Sequence, residues 1–239
     1  MNRRIVAVLA SLCFILASAP SHAQSGDVIV EKKTFELPTY TTVAGDTIKS
    51  VKIGWEAAGT LNADKSNAIL VTHYFSGTSH AFGKYTPADP VAGYWDAIIG
   101  PGKAIDTNKY YVLSSDTLVN LNAKMANVVT TGPASINPDT GKPYGMSFPV
   151  VSIVRVQKAL IDSLGIKKLK AVVGASMGGL QAYQWAASYP DSVDRIVAVV
   201  ASTSAEPFLI GWLDMWAQPI RLDPKWPQSR ARDRDPASQ

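Results

Sequence analysis

The chain has 239 residues, of which 46% are hydrophobic and 18% charged, and its formal net charge is +4. This composition is typical of a globular protein, so it excludes a wholly disordered chain and allows one sizeable domain. The small positive charge does not indicate nucleic-acid binding, and the single cysteine, Cys13, excludes an internal disulfide.

The first residues have the pattern of a secretory signal peptide. Residues 2–4 include two arginines, residues 5–17 are mostly apolar, and residues 21–23 include small side chains typical of a cleavage site. The apolar stretch is shorter than a membrane-spanning helix requires. The pattern therefore predicts a signal peptide at residues 1–23 and an exported mature chain, periplasmic or secreted, that leaves the membrane after cleavage.

An antiparallel pair of strands is predicted next. Val28–Phe35 and Thr47–Trp55 have strand composition, and residues 43–46, Val-Ala-Gly-Asp, provide the turn chemistry between them. The sequence therefore predicts a hairpin at the start of the domain.

Continuous apolar runs follow, as expected of strands buried on both faces of a parallel sheet. Helical patterns at Val150–Leu164 and Leu180–Tyr189 separate the later runs. This alternation predicts an α/β fold with a mostly parallel sheet and helices on both faces. The four runs are Ala68–Val71, Tyr110–Leu113, Ala171–Val173 and Ile196–Val200.

The composition changes towards the end of the chain. We assign residues 24–205 to a partial α/β domain, and the aromatic-rich, amphipathic residues 206–226 to the start of a lid over a pocket. Residues 227–239 are charged and contain no large apolar side chain, so we expect a disordered tail.

A nucleophile elbow is predicted around Ser176. The apolar run Ala171–Val173 leads into Gly174-Ala-Ser-Met-Gly178, and a helical pattern follows. Small residues around a serine between a strand and a helix allow the sharp turn that exposes a nucleophilic hydroxyl. Close packing alone is the alternative explanation of the small residues. The favoured interpretation is acyl chemistry through a covalent Ser176 intermediate.

A second segment supports this interpretation. Residues 73–80 form a polar, glycine-containing loop directly after the strand that ends near Val71. In sheets of the hydrolase type such a loop donates an amide to the oxyanion of the tetrahedral intermediate. The backbone N–H groups of Phe75 and Met177 are therefore the candidate oxyanion donors.

The sequence resembles the homoserine O-acetyltransferase family of the α/β-hydrolase superfamily. The resemblance implies that Ser176 accepts an acetyl group from acetyl-CoA, a possible co-substrate rather than a bound cofactor, and passes it to a hydroxyl of homoserine. It also implies small-molecule acyl donors and acceptors as the partners. An exported serine ester hydrolase is the alternative. Five segments carry the resemblance: Trp55–Asn62, Thr72–His80, Gly100–Thr107, Thr131–Pro138 and Gly174–Ala182.

One departure from the family pattern leaves the activity of this chain open. Family members place an aspartate and then a histidine far downstream of the nucleophile, but the three histidines here, His22, His73 and His80, all precede Ser176. We expect His73 and His80 to be hydrogen-bonded loop residues. The sheet is expected to be incomplete on its C-terminal side, and a catalytically incompetent fragment is the remaining alternative.

Overall fold

The computed structural model describes residues 28–43, 45–145 and 149–225. Six strands form one sheet in the order β1-β2-β6-β3-β7-β8, and β4 and β5 form a small second sheet. The first two pairings, β1 with β2 and β2 with β6, are antiparallel, and the other three are parallel. The strands are β1 (Lys33–Thr41), β2 (Thr47–Ala58), β3 (Ala68–Thr72), β4 (Ile99–Gly100), β5 (Ile105–Asp106), β6 (Tyr111–Ser115), β7 (Ala171–Ala175) and β8 (Ile196–Val199).

The predicted hairpin is confirmed, but its first strand begins later than expected. Thr41 pairs with Thr47, and the Thr42 N–H donates to the Asp46 carbonyl oxygen at 2.8 Å across the turn. β1 starts at Lys33 rather than Val28. The N–H of Val30 instead donates to the carbonyl oxygen of Lys84 at 2.9 Å, so this segment is tied to a loop and not to β2.

The parallel part of the sheet is buried, as its continuous apolar runs predict. Every residue of β3 is buried, and β3 lies between β6 and β7. The helices are α1 (Val150–Ser163), α2 (Met177–Ser188) and α3 (Pro207–Leu222), with a short 3-10 helix at Pro190–Ser192. The predicted α/β-hydrolase fold class and its mostly parallel sheet are confirmed. The predicted helices on both faces are not, because in the described residues α1 and α2 share one face and loop residues cover the other.

Two apolar clusters cover the faces of the sheet. On one face, α1 and α2 pack with the sheet around the fully buried Trp185. Adjacent strand residues point to opposite faces, so Leu70 belongs to this cluster whereas Val71 packs on the other face with Phe82 and Ile99. The loop segment that carries Phe82 and Ile99 covers this second face.

The β8 side of the molecule is open. In the part of the chain that the structure describes, β8 pairs only with β7, and its Val197 and Val199 side chains are 47% and 45% exposed. Helix α3 has no buried residue, although its apolar side chains include Trp212 and Trp216. The expected exposed edge on the C-terminal side of the sheet is thus present.

Two of the predicted segments lie outside the described residues. These are the signal peptide at residues 1–23 and the tail at residues 227–239. Within the described ranges, no helix combines the length and the apolar character needed to cross a membrane.

Candidate active site

Ser176 occupies a sharp turn between β7 and α2. Its backbone has φ 53° and ψ −121°. Residues other than glycine rarely adopt this conformation, which costs about 1–3 kcal/mol. The Ser176 N–H donates to the Val199 carbonyl oxygen at 2.9 Å, which ties the turn to the end of β8. The Ser176 side chain is exposed, so the predicted elbow geometry is present.

Two glycines allow this turn to pack against the end of β3. A Cβ atom at Gly174 would collide with the Thr72 hydroxyl, and one at Gly178 would collide with the Thr72 carbonyl oxygen. The Thr72 hydroxyl also donates to the Gly178 carbonyl oxygen at 2.8 Å. Thr72 therefore fixes the first turn of α2 to the sheet, a role that the sequence pattern alone did not reveal.

Ser176 opens on a cavity of about 990 Å³. The cavity wall includes Phe75 from the loop after β3, Met177 from the start of α2, and Trp212 and Trp216 from α3. The Met177 N–H lies in the first turn of α2, where backbone donors have no acceptor within the helix. The three predicted site residues thus line one cavity, while the oxyanion role of the two amides stays a prediction.

His73 is a structural residue of this loop. It is 1% exposed, and its Nδ1 lies 2.7 Å from the carbonyl oxygen of Tyr74. Its Nε2 lies 3.2 Å from both the Thr117 amide nitrogen and the Asn120 side-chain nitrogen. Burial lowers the pKa of His73 below its ordinary value, which favours the neutral ring. Both ring nitrogens are committed, so His73 cannot serve as the base for Ser176.

Amide side chains, of which Asn120 and Gln181 are buried, hold the rest of the loop in place. Asn120 donates to the Gly77 carbonyl oxygen at 3.1 Å, and Asn122 donates to the Ser76 carbonyl oxygen at 2.9 Å. From the helix side, Gln181 donates to the carbonyl oxygen of His73 at 3.1 Å. The loop that carries Phe75 is therefore fixed before any substrate arrives.

The far end of the same loop is anchored in a buried cluster of charges. Glu56 and Asp116 are both fully buried, and the Lys32 Nζ lies 2.7 Å and 3.4 Å from their carboxylate oxygens. The Ser79 N–H donates to Asp116 at 2.8 Å, and the Nδ1 of His80 lies 2.9 Å from Glu56. His80 is therefore a partner of Glu56 and not of Ser176.

The pKa of Glu56 reports how well this cluster stabilises its charge. Burial alone would raise the pKa, but the hydrogen bond from His80 and the positive charge of Lys32 outweigh it and lower the pKa from 4.5 to about 2. The Tyr85 hydroxyl donates a further hydrogen bond at 2.7 Å. Glu56 lies in the buried second half of β2, after Ile53 and Trp55, and this position was a sequence signal for a buried charge although it does not identify the partners.

In the described part of the chain, no three His, Cys, Asp or Glu side chains lie together in a way that could bind a metal ion. The site instead places a candidate serine nucleophile beside two candidate amide donors. Of the two histidines that the structure describes, neither hydrogen-bonds to Ser176.

The fold and the site define the class of protein. A family model described as the alpha/beta hydrolase fold matches residues 127–238, which include the elbow. The solved structure of esterase E22 is 58% identical with a TM-score of 0.79, and this chain covers 55% of it. That of homoserine O-acetyltransferase from Bacillus anthracis is 47% identical with a TM-score of 0.79 and is 54% covered. Each match covers 83% of this chain. The protein is an α/β-hydrolase-fold protein.

The curated relatives identify the family within this fold class. The homoserine O-acetyltransferase of Methanococcus vannielii is 48% identical over 201 residues, which are 82% of this chain and 39% of the relative. The chain belongs to the homoserine O-acetyltransferase family, as its sequence motifs predict. It spans about two fifths to one half of the length of the curated relatives it matches.

The prediction of export is wrong. The relatives that match more than four fifths of the chain are homoserine O-acetyltransferases, and this contradicts a periplasmic or secreted location. The basic and apolar N-terminal pattern on which the prediction rested is short and compositional, so it is a weaker indication than the match of most of the chain to that family.

Proposed function

We propose that this chain carries the nucleophile side of an acyl-transfer site of the homoserine O-acetyltransferase type. Ser176 would accept an acyl group from an acyl-CoA thioester, such as acetyl-CoA, and pass it to a hydroxyl acceptor. The observation that carries the proposal is the backbone of Ser176, whose strained φ of 53° exposes the side chain to the cavity at the start of α2.

The proposed acyl transfer has two steps. In the first, the Ser176 Oγ forms a bond to the acyl carbon, the carbon–sulfur bond breaks, and the hydroxyl proton goes to the leaving thiolate. In the second, the acceptor oxygen attacks the acyl carbon, the bond to Ser176 Oγ breaks, and the acceptor proton returns to Ser176. Each step passes through a tetrahedral oxyanion that requires hydrogen-bond donors.

The amides of Phe75 and Met177 are the proposed donors. Fixed amides next to a developing oxyanion contribute about 3–4 kcal/mol each to transition-state stabilisation. The hydrogen bonds from Asn120, Asn122 and Gln181 support the proposal, because they hold the loop of Phe75 rigid in the absence of substrate.

A serine ester hydrolase is the second candidate. The observation that favours it is the 58% identity to esterase E22, which exceeds the 47% identity to the Bacillus anthracis transferase. Hydrolysis uses the same Ser176 acyl-enzyme, and water takes the place of the acceptor hydroxyl. The two candidates therefore share the first half of the reaction and differ in what removes the acyl group.

Reactivity without a general base is expected to be low. Loss of the base in a serine hydrolase costs on the order of 10⁶ in kcat, while the oxyanion hole and binding still give on the order of 10³–10⁴ over water. His73 and His80 are both committed to other partners. A chain in which Ser176 is acylated slowly and the acyl group is never released would be a catalytically incompetent fragment.

A fluorophosphonate probe tests the proposal. We expect the probe to phosphonylate Ser176, with the modified peptide identified by mass spectrometry, and Ser176→Ala to abolish the product. Ser202→Ala is the matched control, because Ser202 lines the same cavity but does not lie at the elbow. Labelling that is unchanged in Ser176→Ala, or that requires Ser202 instead, would refute the assignment of Ser176.

A further inference from the structure

Gln181 contacts both segments that carry the candidate oxyanion donors. Its Nε2 lies 3.1 Å from the His73 carbonyl oxygen and 3.4 Å from the Met177 carbonyl oxygen. The His73 carbonyl belongs to the peptide group next to the one that carries the Phe75 N–H. The Met177 carbonyl likewise belongs to the peptide group next to the one that carries the Met177 N–H. One side-chain amide thus bridges the backbone on both sides of the proposed oxyanion site.

The orientation of this amide is set by a chain of hydrogen bonds that begins at Trp185. An indole Nε1 can only donate, and that of Trp185 donates to the Gln157 Oε1 at 2.9 Å. The Nε2 of Gln157 therefore faces Gln181, and it donates to the Gln181 Oε1 at 2.8 Å. This leaves the Gln181 Nε2 to donate to the two backbone carbonyls. A reversed Gln181 amide would place two donors against each other and one oxygen against two carbonyl oxygens.

The hydrogen-bonded chain is closed to solvent. Gln157, Gln181 and Trp185 are each at most 1% exposed, and none of them lines the Ser176 cavity. The Gln157 Nε2 also lies 3.4 Å from the Ser115 Oγ, so its second hydrogen has an acceptor. Because a buried polar group without a partner is strongly unfavourable, the chain favours this one arrangement over the reversed one.

We propose that Gln181 is a positioning residue of the oxyanion site, which fixes the loop of Phe75 relative to the start of α2, and that Trp185 orients it through Gln157. The inference rests on the proposed function, because it takes the Phe75 and Met177 amides to be the oxyanion donors. Gln181 acts through the backbone and not by contact with a ligand in the cavity. Such spacing matters, because a shift of about 1 Å can lower a rate by about 100-fold.

The rate of fluorophosphonate labelling tests this role, because the Ser176 Oγ displaces fluoride and the phosphoryl oxygen takes the place of the oxyanion. In Gln181→Met, a side chain of similar size loses the donor. We expect the labelling rate constant at saturating probe to fall by about tenfold or more, and the half-saturating probe concentration to change by less than about twofold. Gln184→Met is the matched control, because Gln184 lies on the same helix and donates to Ser188 at 2.7 Å. Equal slowing in Gln184→Met, or an unchanged rate constant in Gln181→Met, would overturn the inference.

Gln181→Glu provides a readout that a general loss of stability would not produce. A protonated carboxyl can accept from Gln157 and donate to the His73 carbonyl oxygen, whereas a carboxylate only accepts. The labelling rate relative to the parent should therefore be near one in acid and fall towards that of Gln181→Met as the pH rises from about 5 to about 9. His73 and Asp116 titrate in the parent as well, so the ratio removes their contribution. A variant as slow as Gln181→Met even in acid would overturn the need for a donor.

Gln157→Met tests the orienting part of the proposal. Gln157 lies on α1 and contacts the site only through Gln181, so we expect a smaller slowing than in Gln181→Met. The double variant should be no slower than Gln181→Met alone, because both side chains act through one amide. Slowing of the double variant by the product of the two single effects would contradict the orienting role of Gln157.

Hydrogen exchange tests the position of the loop without any reaction. The Gly77 N–H donates to the Tyr74 carbonyl oxygen at 2.9 Å, so its exchange rate reports the order of the loop. Mass spectrometry of peptides from residues 73–80 should show faster exchange in Gln181→Met but not in Gln184→Met. If Ser176 of the parent is not labelled, the proposed function fails and this exchange alone decides whether Gln181 holds the loop. A labelled parent with unchanged labelling and exchange in Gln181→Met would contradict the positioning role alone.

Discussion

The two sides of the Ser176 cavity differ in how completely their groups are partnered. Behind the loop of Phe75, the charges of Glu56 and Asp116 are fully buried and that of Lys32 is mostly buried, and they are hydrogen-bonded to one another or to the loop. Around β8 and α3, large apolar side chains are exposed, with Val200 at 84% and Phe208 at 81%. The first side fixes the candidate oxyanion donor, whereas the second leaves an open apolar wall.

This difference indicates which parts of an acyl-transfer site the described residues provide. A rigid, fully partnered loop can hold an amide in position for an oxyanion, because little reorganisation is required when charge develops. The open side contributes apolar surface and no base. We infer that the described residues provide the nucleophile and the electrostatic half of an acyl-transfer site, while proton transfer has no assigned group.

The largest expected contrast is between two tryptophans. Trp185→Ala is expected to lower the free energy of unfolding by about 3–5 kcal/mol, because Trp185 is fully buried and its Nε1 donates to Gln157 at 2.9 Å. Trp216→Ala is the control and should cost less than about 1 kcal/mol, since Trp216 is 58% exposed. Urea denaturation measures both, and equal losses would contradict the division between a packed side and an open one.

The charge cluster predicts a loss of stability in acid. The pKa of Glu56 is lowered from 4.5 to about 2 in the folded chain, so its contribution is complete above pH 4.5 and is lost as the pH falls towards 2. The expected loss over this range is roughly 3 kcal/mol. We expect Glu56→Gln to have a lower free energy of unfolding than the parent at neutral pH. Urea denaturation at a series of pH values should show that this difference shrinks as the pH falls.

Glu36 is the control for this measurement. It pairs with Lys52 at 3.3 Å, and both side chains are about half exposed, so Glu36→Gln should change stability by less than about 1 kcal/mol. If the difference in free energy of unfolding between Glu56→Gln and the parent stays constant from neutral pH to pH 3, the cluster does not stabilise the Glu56 charge as the structure describes.

Two glycines in helices give opposite predictions. Gly178→Ala is expected to destabilise the protein by about 1–3 kcal/mol, because its Cβ would collide with the Thr72 backbone. Gly211→Ala should stabilise it by about 0.5–1 kcal/mol, because Gly211 lies inside α3 with no atom near the added methyl group. Thermal denaturation monitored by circular dichroism separates the two, and a stabilising Gly178→Ala would contradict the tight elbow.

The smallest expected effect is relief of strain at the nucleophile. Ser176→Gly should be more stable than Ser176→Ala by about 1 kcal/mol, because glycine adopts φ 53° with little strain and alanine does not. The comparison uses alanine as its reference, so loss of the hydroxyl is common to both variants. Equal stabilities in urea denaturation would mean that the elbow is not strained in solution.

The sequence predicted the features that depend on neighbouring residues. Gly174, Ser176 and Gly178 are close in the chain, so their spacing alone indicated the elbow, and the turn between β1 and β2 was found in the same way. The buried runs of β3 and β7 indicated the parallel sheet, because both faces of such strands are covered.

The charge cluster could not be predicted in this way. Lys32, Glu56, Ser79 and Asp116 are far apart in the sequence and meet only when β2, β6 and the loop after β3 are assembled. The link from Gln157 to Gln181, at 2.8 Å between α1 and α2, has the same origin. The sequence pattern shows which residues are polar, but not which distant partners satisfy them.

Mass spectrometry after incubation with 4-nitrophenyl acetate tests the central claim most directly. We expect acetylation of Ser176 in the folded chain, absent in Ser176→Ala and in concentrated urea, and an acetyl-enzyme that persists because neither His73 nor His80 is free to activate water. An unmodified Ser176, or acetylation of Ser176 to the same extent in the unfolded chain, would contradict the claim that this fold creates an acyl-accepting nucleophile.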